Sequence, residues 1–412
     1  MTSVSAAEND LLLRWEMRFL VVGLVALLIS AAGAFLGGAD QFFRAYFAAC
    51  VYFLGLSLGG MALLMLWHMT GGAWGYLVRR VFEAQMKTLP LLLLLFIPLA
   101  FGVEHLYLWA QPKLVAVDRE LAHQQFYLNR PFFLVRAAIY FAIWLLIAAA
   151  LAARSRQQER TGAPILVWKF QRLSEVGLVL YGTTLHFAAF DWLETLQSTY
   201  HSTIFPFLVV SSQLVSAQAF AIVAFILISL RREAAAVVST RALIDLGTIL
   251  LAFLIIWAYM LWFQFMLGWI GDLSSDALWF MPRSRGGWYW VCWALGILGF
   301  GVPFFLLLMR SVKSRPTILV RVAGVVLFMQ LVFAFYLVVP VFPAPSLTEH
   351  WMEFVTPFGV GGVWLAWFLD RLRRQPVLPP NDLNRESALH LRNMDEEDFE
   401  RERALVPDER IQ

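Results

Sequence analysis

Ten stretches of this chain are apolar for long enough to cross a lipid bilayer, and that pattern constrains the fold more than any other feature. A membrane helix needs about 20 mostly apolar residues to span a hydrocarbon core of roughly 30 Å. Runs bounded by charge, Gly and Pro extend from Phe19 to Phe35, Phe43 to His68, Thr88 to Ala110, Phe132 to Ala153 and Ser174 to Leu193. Five more run from Thr203 to Leu230, Ile244 to Ile270, Trp288 to Met309, Thr317 to Phe342 and Trp351 to Asp370. The reading is an all-α integral membrane protein of about ten transmembrane helices. Spans two to five and six to nine are expected to make two four-helix bundles, with the first and tenth peripheral. Of the residues, 60% are hydrophobic and 15% charged, which excludes a soluble multidomain enzyme.

Three segments follow: residues 1–18 as a cytoplasmic N-terminal segment without a removable signal, 19–370 as the membrane domain, and 371–412 as a charged cytoplasmic tail. The tail opens on Arg371, Arg373 and Arg374, then Pro376, Pro379 and Pro380. Orientation comes from Lys and Arg beside the spans. The N-terminus, the even loops and the start of the tail carry nineteen, the odd loops six. Both termini are therefore expected inside a cytoplasmic membrane. The long loops Gln111 to Pro131 and Gly271 to Gly287 then face outward, where soluble partners can dock. The basic residues form no stripe, so nucleic acid is not an expected partner.

Ionisable groups within membrane helices cost about 2.5 to 3.5 kcal/mol on insertion scales, so each is a functional candidate. By depth, Glu104, His105, Arg136, His186 and Asp191 share a layer near the outer face, with Glu194 and His201 in the loop beyond. Such a layer can hold a quinol headgroup and accept its protons. Equally, Glu104 and Arg136 can be a structural pair between helices. On the inner side lie His68 and Asp245, with Arg321, all within reach of water by snorkelling. Gln213, Gln218, Gln264, Gln330, Ser211, Ser212 and Ser216 form a polar trail between the layers, either a water path or helix glue. No catalytic residue or metal set is assigned.

Cys50 and Cys292 stand alone, which leaves no CxxC pair, iron–sulfur ligand set or covalent haem motif. His105 and His186 are the only histidines at matched depth for a haem pair, and no haem is assigned to them. Gly59-Gly60 and Gly361-Gly362 suit close helix packing, and the stretch from Pro90 to Pro98 is expected to kink the third helix.

Three segments carry a family resemblance: LGLSLGGMALLMLWHMTGG from Leu54 to Gly72; HLYLWAQP and YLNRPFFLVRAAIYFAIW between His105 and Trp144; and LHFAAFDWLETLQSTYHSTIFPF from Leu185 to Phe207. They resemble the ActF-type subunits, the second of two polysulfide-reductase-like (NrfD-type) membrane subunits in the bacterial alternative complex III. The resemblance covers spans two to six, and the rest by helix count. It implies a subunit of a quinol-oxidising complex that passes electrons to a soluble acceptor such as cytochrome c. Haem and iron–sulfur clusters would sit in partner subunits: a multihaem cytochrome, an iron–sulfur protein and an NrfD-like sister subunit. Quinone contact, proton conduction or scaffolding are the roles it implies for this chain. From the residues alone a secondary transporter is the rival, though its binding site belongs at mid-membrane.

Overall fold

The computed structural model describes residues 6–163, 165–229, 239–272, 274–342 and 351–375. Among the described residues are ten helices long and apolar enough to cross a membrane: Asp10–Leu36, Ala39–Thr70, Trp74–Ala100, Arg130–Thr161, Ile165–Leu196, Phe205–Ile228, Thr240–Gly271, Gly287–Leu308, Pro316–Val341 and Trp351–Arg373. The chain is an all-α, multi-pass membrane protein. Its ends are termed inner and outer after the basic-residue bias.

The second span is the axis of the molecule and is buried along nearly its whole length. It packs against the third, fifth, sixth, ninth and tenth spans. Spans two to five contact one another, as do spans six to nine, and the two groups meet where the second span crosses the sixth. The first span leans chiefly on the tenth and leaves most of its surface outward. The expected pairs of small residues explain the closest approaches. A Cβ on Gly59 would lie 2.4 Å from the Gln213 carbonyl oxygen, and one on Gly362 would lie 2.7 Å from the Gly23 Cα. Only glycine lets these backbones touch.

Helix ends follow local chemistry. The Asn129 side chain accepts from the Phe132 N–H and Pro131 occupies the first turn, so the fourth span starts where the YLNRPFF motif sits. Ser239 caps the seventh span through the Ala242 N–H. Between the second and third spans, Gly71 and Gly72 both have positive φ, 71° and 98°, and reverse the chain in two residues.

The third span departs from the sequence reading. It was expected over Thr88 to Ala110, but an α-helix already runs over Ala73–Met86, pauses at Lys87 and Thr88, resumes over Leu89–Phe96 and tightens to a 3₁₀ turn over Ile97–Ala100. Arg79, Arg80 and Glu83, read as a loop, therefore lie inside the helix, with Lys87 at the pause. They can do so because their charges are matched: Arg79 and Arg80 reach Glu83 at 2.9 and 2.8 Å, and Arg80 reaches Glu159 at 2.5 Å. The interruption itself is satisfied by the Thr88 hydroxyl, which donates to the Gln85 carbonyl and shares a hydrogen bond with Ser57. Within the stretch from Pro90 to Pro98, where a kink was expected, the helix passes from α to 3₁₀ at Ile97.

At the other ends, helix begins at Ala6, so the segment read as preceding the first span is largely a continuation of it. There Glu16 meets Arg373 at 2.7 Å. The tail beyond residue 375 lies outside the described residues.

Candidate functional site

The outer layer resolves into separate units rather than one cluster. Asp191 is fully buried near the end of the fifth span and is gripped by Arg136 in two parallel hydrogen bonds, 2.7 and 3.0 Å, the fork geometry of a strong pair. Tyr140 donates to the same carboxylate at 2.7 Å. Arg136 also donates to the Tyr127 carbonyl at 2.9 Å, and its guanidinium lies 3.9 and 4.4 Å from the Tyr127 and Phe132 ring centres. This node ties the fourth span to the fifth and to the outer loop.

Glu104 and His105 lie beyond the third span, in a short helical turn at the surface. Glu104 is half exposed and pairs with Arg130 at 3.3 Å. The structural pair expected between Glu104 and Arg136 is therefore corrected: their partners are Arg130 and Asp191. Helical register decides it, because the chain unwinds after Ala100 and carries Glu104 away from the Arg136 face. His105 hydrogen-bonds to Asp40 and stacks on Phe43. His186 instead sits edge-on to Phe207, so the two histidines are engaged with different neighbours.

His186 belongs to the larger feature of this end, a cavity of about 680 Å³ lined by residues that include His123, Tyr127, His186, Glu194, Tyr200 and His201. Its walls come from the outer end of the fifth span, the loop into the sixth, and the short helix Arg119–Gln124, whose first turn Asp118 caps. Glu194 is 3% exposed. One of its carboxylate oxygens accepts the Ser202 N–H at 2.6 Å, while the other is buried without a protein partner. A buried carboxylate oxygen with no donor is costly, so the position favours a ligand that supplies a proton or a hydrogen bond. Tyr127, in the loop, meets such a ligand as a neutral phenol: burial, and then the negative Asp191, push it up to about 12.

The inner candidates divide likewise. His68 is stacked on Phe170 with ring centres 4.2 Å apart, and its Nε2 is buried without a partner. It neighbours the charge cluster of Arg79, Arg80 and Glu83, which Ser155 completes by donating to Glu83 at 2.8 Å. Asp245 and Arg321 are exposed. Sequence reading missed this cluster because a dense run of charge looks like a loop. The signal available was the spacing of Arg79, Arg80 and Glu83, which places opposite charges on one helical face. It also missed Arg283, counted as a loop charge but fully buried, donating to the Trp279, Tyr336 and Leu337 carbonyls.

The polar trail is used as helix glue. Tyr181 donates to Gln213, Ser212 to Gln330, Gln264 to Tyr200, and Gln218 to the Leu246 carbonyl, each joining a different pair of elements. Comparison of the sequence with protein-family models and with curated proteins gives no match.

Proposed function

We propose that the chain is a membrane subunit of a quinol-oxidising electron-transfer complex of the alternative complex III kind, held in the cytoplasmic membrane with both termini inside. Electrons would leave through haem and iron–sulfur centres of partner subunits docked on the outer loops. The outer cavity would contact quinol or receive its protons. One observation carries this reading: a buried carboxylate, Glu194, has one oxygen without a protein partner and lines a cavity that also bears His186, His201 and His123. Oxidation of a quinol releases its protons as its electrons depart, and it needs a base of this kind within hydrogen-bond reach. The NrfD-like motifs support the same reading, since LHFAAFDWLETLQSTYHSTIFPF supplies His186, Glu194 and His201 together.

The test is Glu194→Gln in the assembled complex. Glutamine keeps the volume and can still accept from Ser202, so assembly should be normal. Quinol oxidation or its proton yield should fall at least tenfold. Normal turnover and normal proton release would leave this chain a scaffold.

A second reading, a secondary transporter, draws on the interrupted third span, because broken helices frame transporter sites. Purification from native membranes separates the two: co-purifying haem-bearing subunits support the first, a solitary chain the second.

A further inference from the structure

A second cavity, apart from the histidine cavity, opens on the side of the bundle. It holds about 180 Å³ and is walled by Leu93, Phe96, Ile97, Ala137, Phe141 and Trp192 among others, with Ala100 at its upper edge. Its origin is the third span: the 3₁₀ turn over Ile97–Ala100 narrows the helix and the chain then leaves it, so the wall beside the fourth span thins near the outer end. The residues flanking the opening are apolar and outward-facing, with Leu94, Ile97 and Phe101 at 60%, 50% and 72% exposure. In a membrane-spanning helix such a surface faces lipid. From Leu93 to Ala100 the slot covers roughly 10 Å along the helix at about 1.5 Å per residue, enough for the upper part of an acyl chain.

A cation sits above the slot. Arg130, in the first turn of the fourth span, donates to the carbonyl of Ala100 at 3.1 Å, which fixes its guanidinium over the slot's upper edge. Its other contact there is Glu104 at 3.3 Å, with the two side chains 44% and 55% exposed. An exposed pair of this sort holds its cation only weakly, and a guanidinium fork offers further N–H donors to phosphate.

The geometry points to a phospholipid site in the outer leaflet: an acyl chain fills the slot between the third and fourth spans, and the headgroup phosphate is held by Arg130. The occupant is a lipid of the surrounding bilayer, anionic lipids being preferred because Arg130 supplies a positive charge at headgroup depth. Two residues with polar groups line the slot: Tyr107, whose hydroxyl donates to the Trp192 carbonyl, and Trp192, whose indole N–H is buried without an acceptor. A ligand that placed an oxygen-bearing head inside the slot would accept from that N–H, whereas an acyl chain would leave it as it is, so Trp192→Phe tells a quinone from a phospholipid.

The test is native mass spectrometry of the purified full chain titrated with phosphatidylglycerol and, separately, phosphatidylcholine of the same acyl chains. The wild type should retain one phosphatidylglycerol at least tenfold more tightly than phosphatidylcholine. Arg130→Gln, which leaves the slot intact, should abolish that preference. Ala137→Phe, which fills the slot, should lose both lipids, and if that variant does not fold the Arg130→Gln comparison decides alone. Equal retention of the two lipids by the wild type would overturn the proposal. So would lipid retention unchanged by Ala137→Phe, or retention lost in Trp192→Phe and displaced by an added quinone.

Discussion

Asp191→Asn is the substitution whose outcome the structure most sharply redirects. From sequence, Asp191 is a titratable candidate of the outer layer, able to accept a proton. In the fold it is fully buried, and it accepts two hydrogen bonds from Arg136 and one from Tyr140. Removing the charge leaves the Arg136 guanidinium, itself 7% exposed, without its counter-ion. Breaking a buried pair in this way costs about 3 to 5 kcal/mol, a hundredfold or more in the folded fraction. The amide also replaces one accepting oxygen with a donor that faces two others, so at least one of the three hydrogen bonds is lost. The assay is the thermal midpoint and monodisperse yield of the detergent-solubilised chain by fluorescence-detected size exclusion. Both should fall steeply for Asp191→Asn and for Arg136→Gln. The double substitution Arg136→Met with Asp191→Leu should recover much of the loss, since apolar replacement of a buried pair is often neutral. Wild-type yield and midpoint in Asp191→Asn, with quinol turnover reduced, would refute the structural role and return Asp191 to the chemistry.

Glu104→Gln should change the midpoint little, within about 1 kcal/mol, because its pair with Arg130 is exposed; a loss as large as that of Asp191→Asn would contradict the assignment of partners. Glu83→Gln should be about as damaging as Asp191→Asn, since it removes the carboxylate that Arg79 and Arg80 share in a buried site, and the same size-exclusion assay reads it. Gly59→Val should prevent the second and sixth spans from meeting, seen as loss of monodisperse protein, because even a Cβ there meets the Gln213 carbonyl; normal behaviour would show that the helices can part. Cysteine labelling at an engineered site near Arg374 should succeed only from the inner side, and labelling from the outer side would reverse the proposed topology.

Apolar length makes the chain helical and long enough to cross a bilayer ten times, and it is legible from the residues because it is a property of each segment alone. The sequence also located the glycine contacts, since a residue without a Cβ lets two helix backbones approach closely. Of the five residues read as one outer layer, Arg136 and Asp191 meet, whereas Glu104 and His105 lie beyond the third span in a short surface turn. Which of them touch was decided by the tertiary structure alone. Depth along a helix does not specify the azimuth of a side chain, and azimuth puts Arg136 against Asp191, gives Glu104 to Arg130, and turns Glu194 toward the cavity. The charged turn from Arg79 to Lys87 shows the same limit from the other side. Its residues look too polar for a membrane helix until Glu159, more than seventy residues later, arrives to pair with Arg80. A charge is tolerable in low dielectric only with its partner in place, and that partner is supplied by packing.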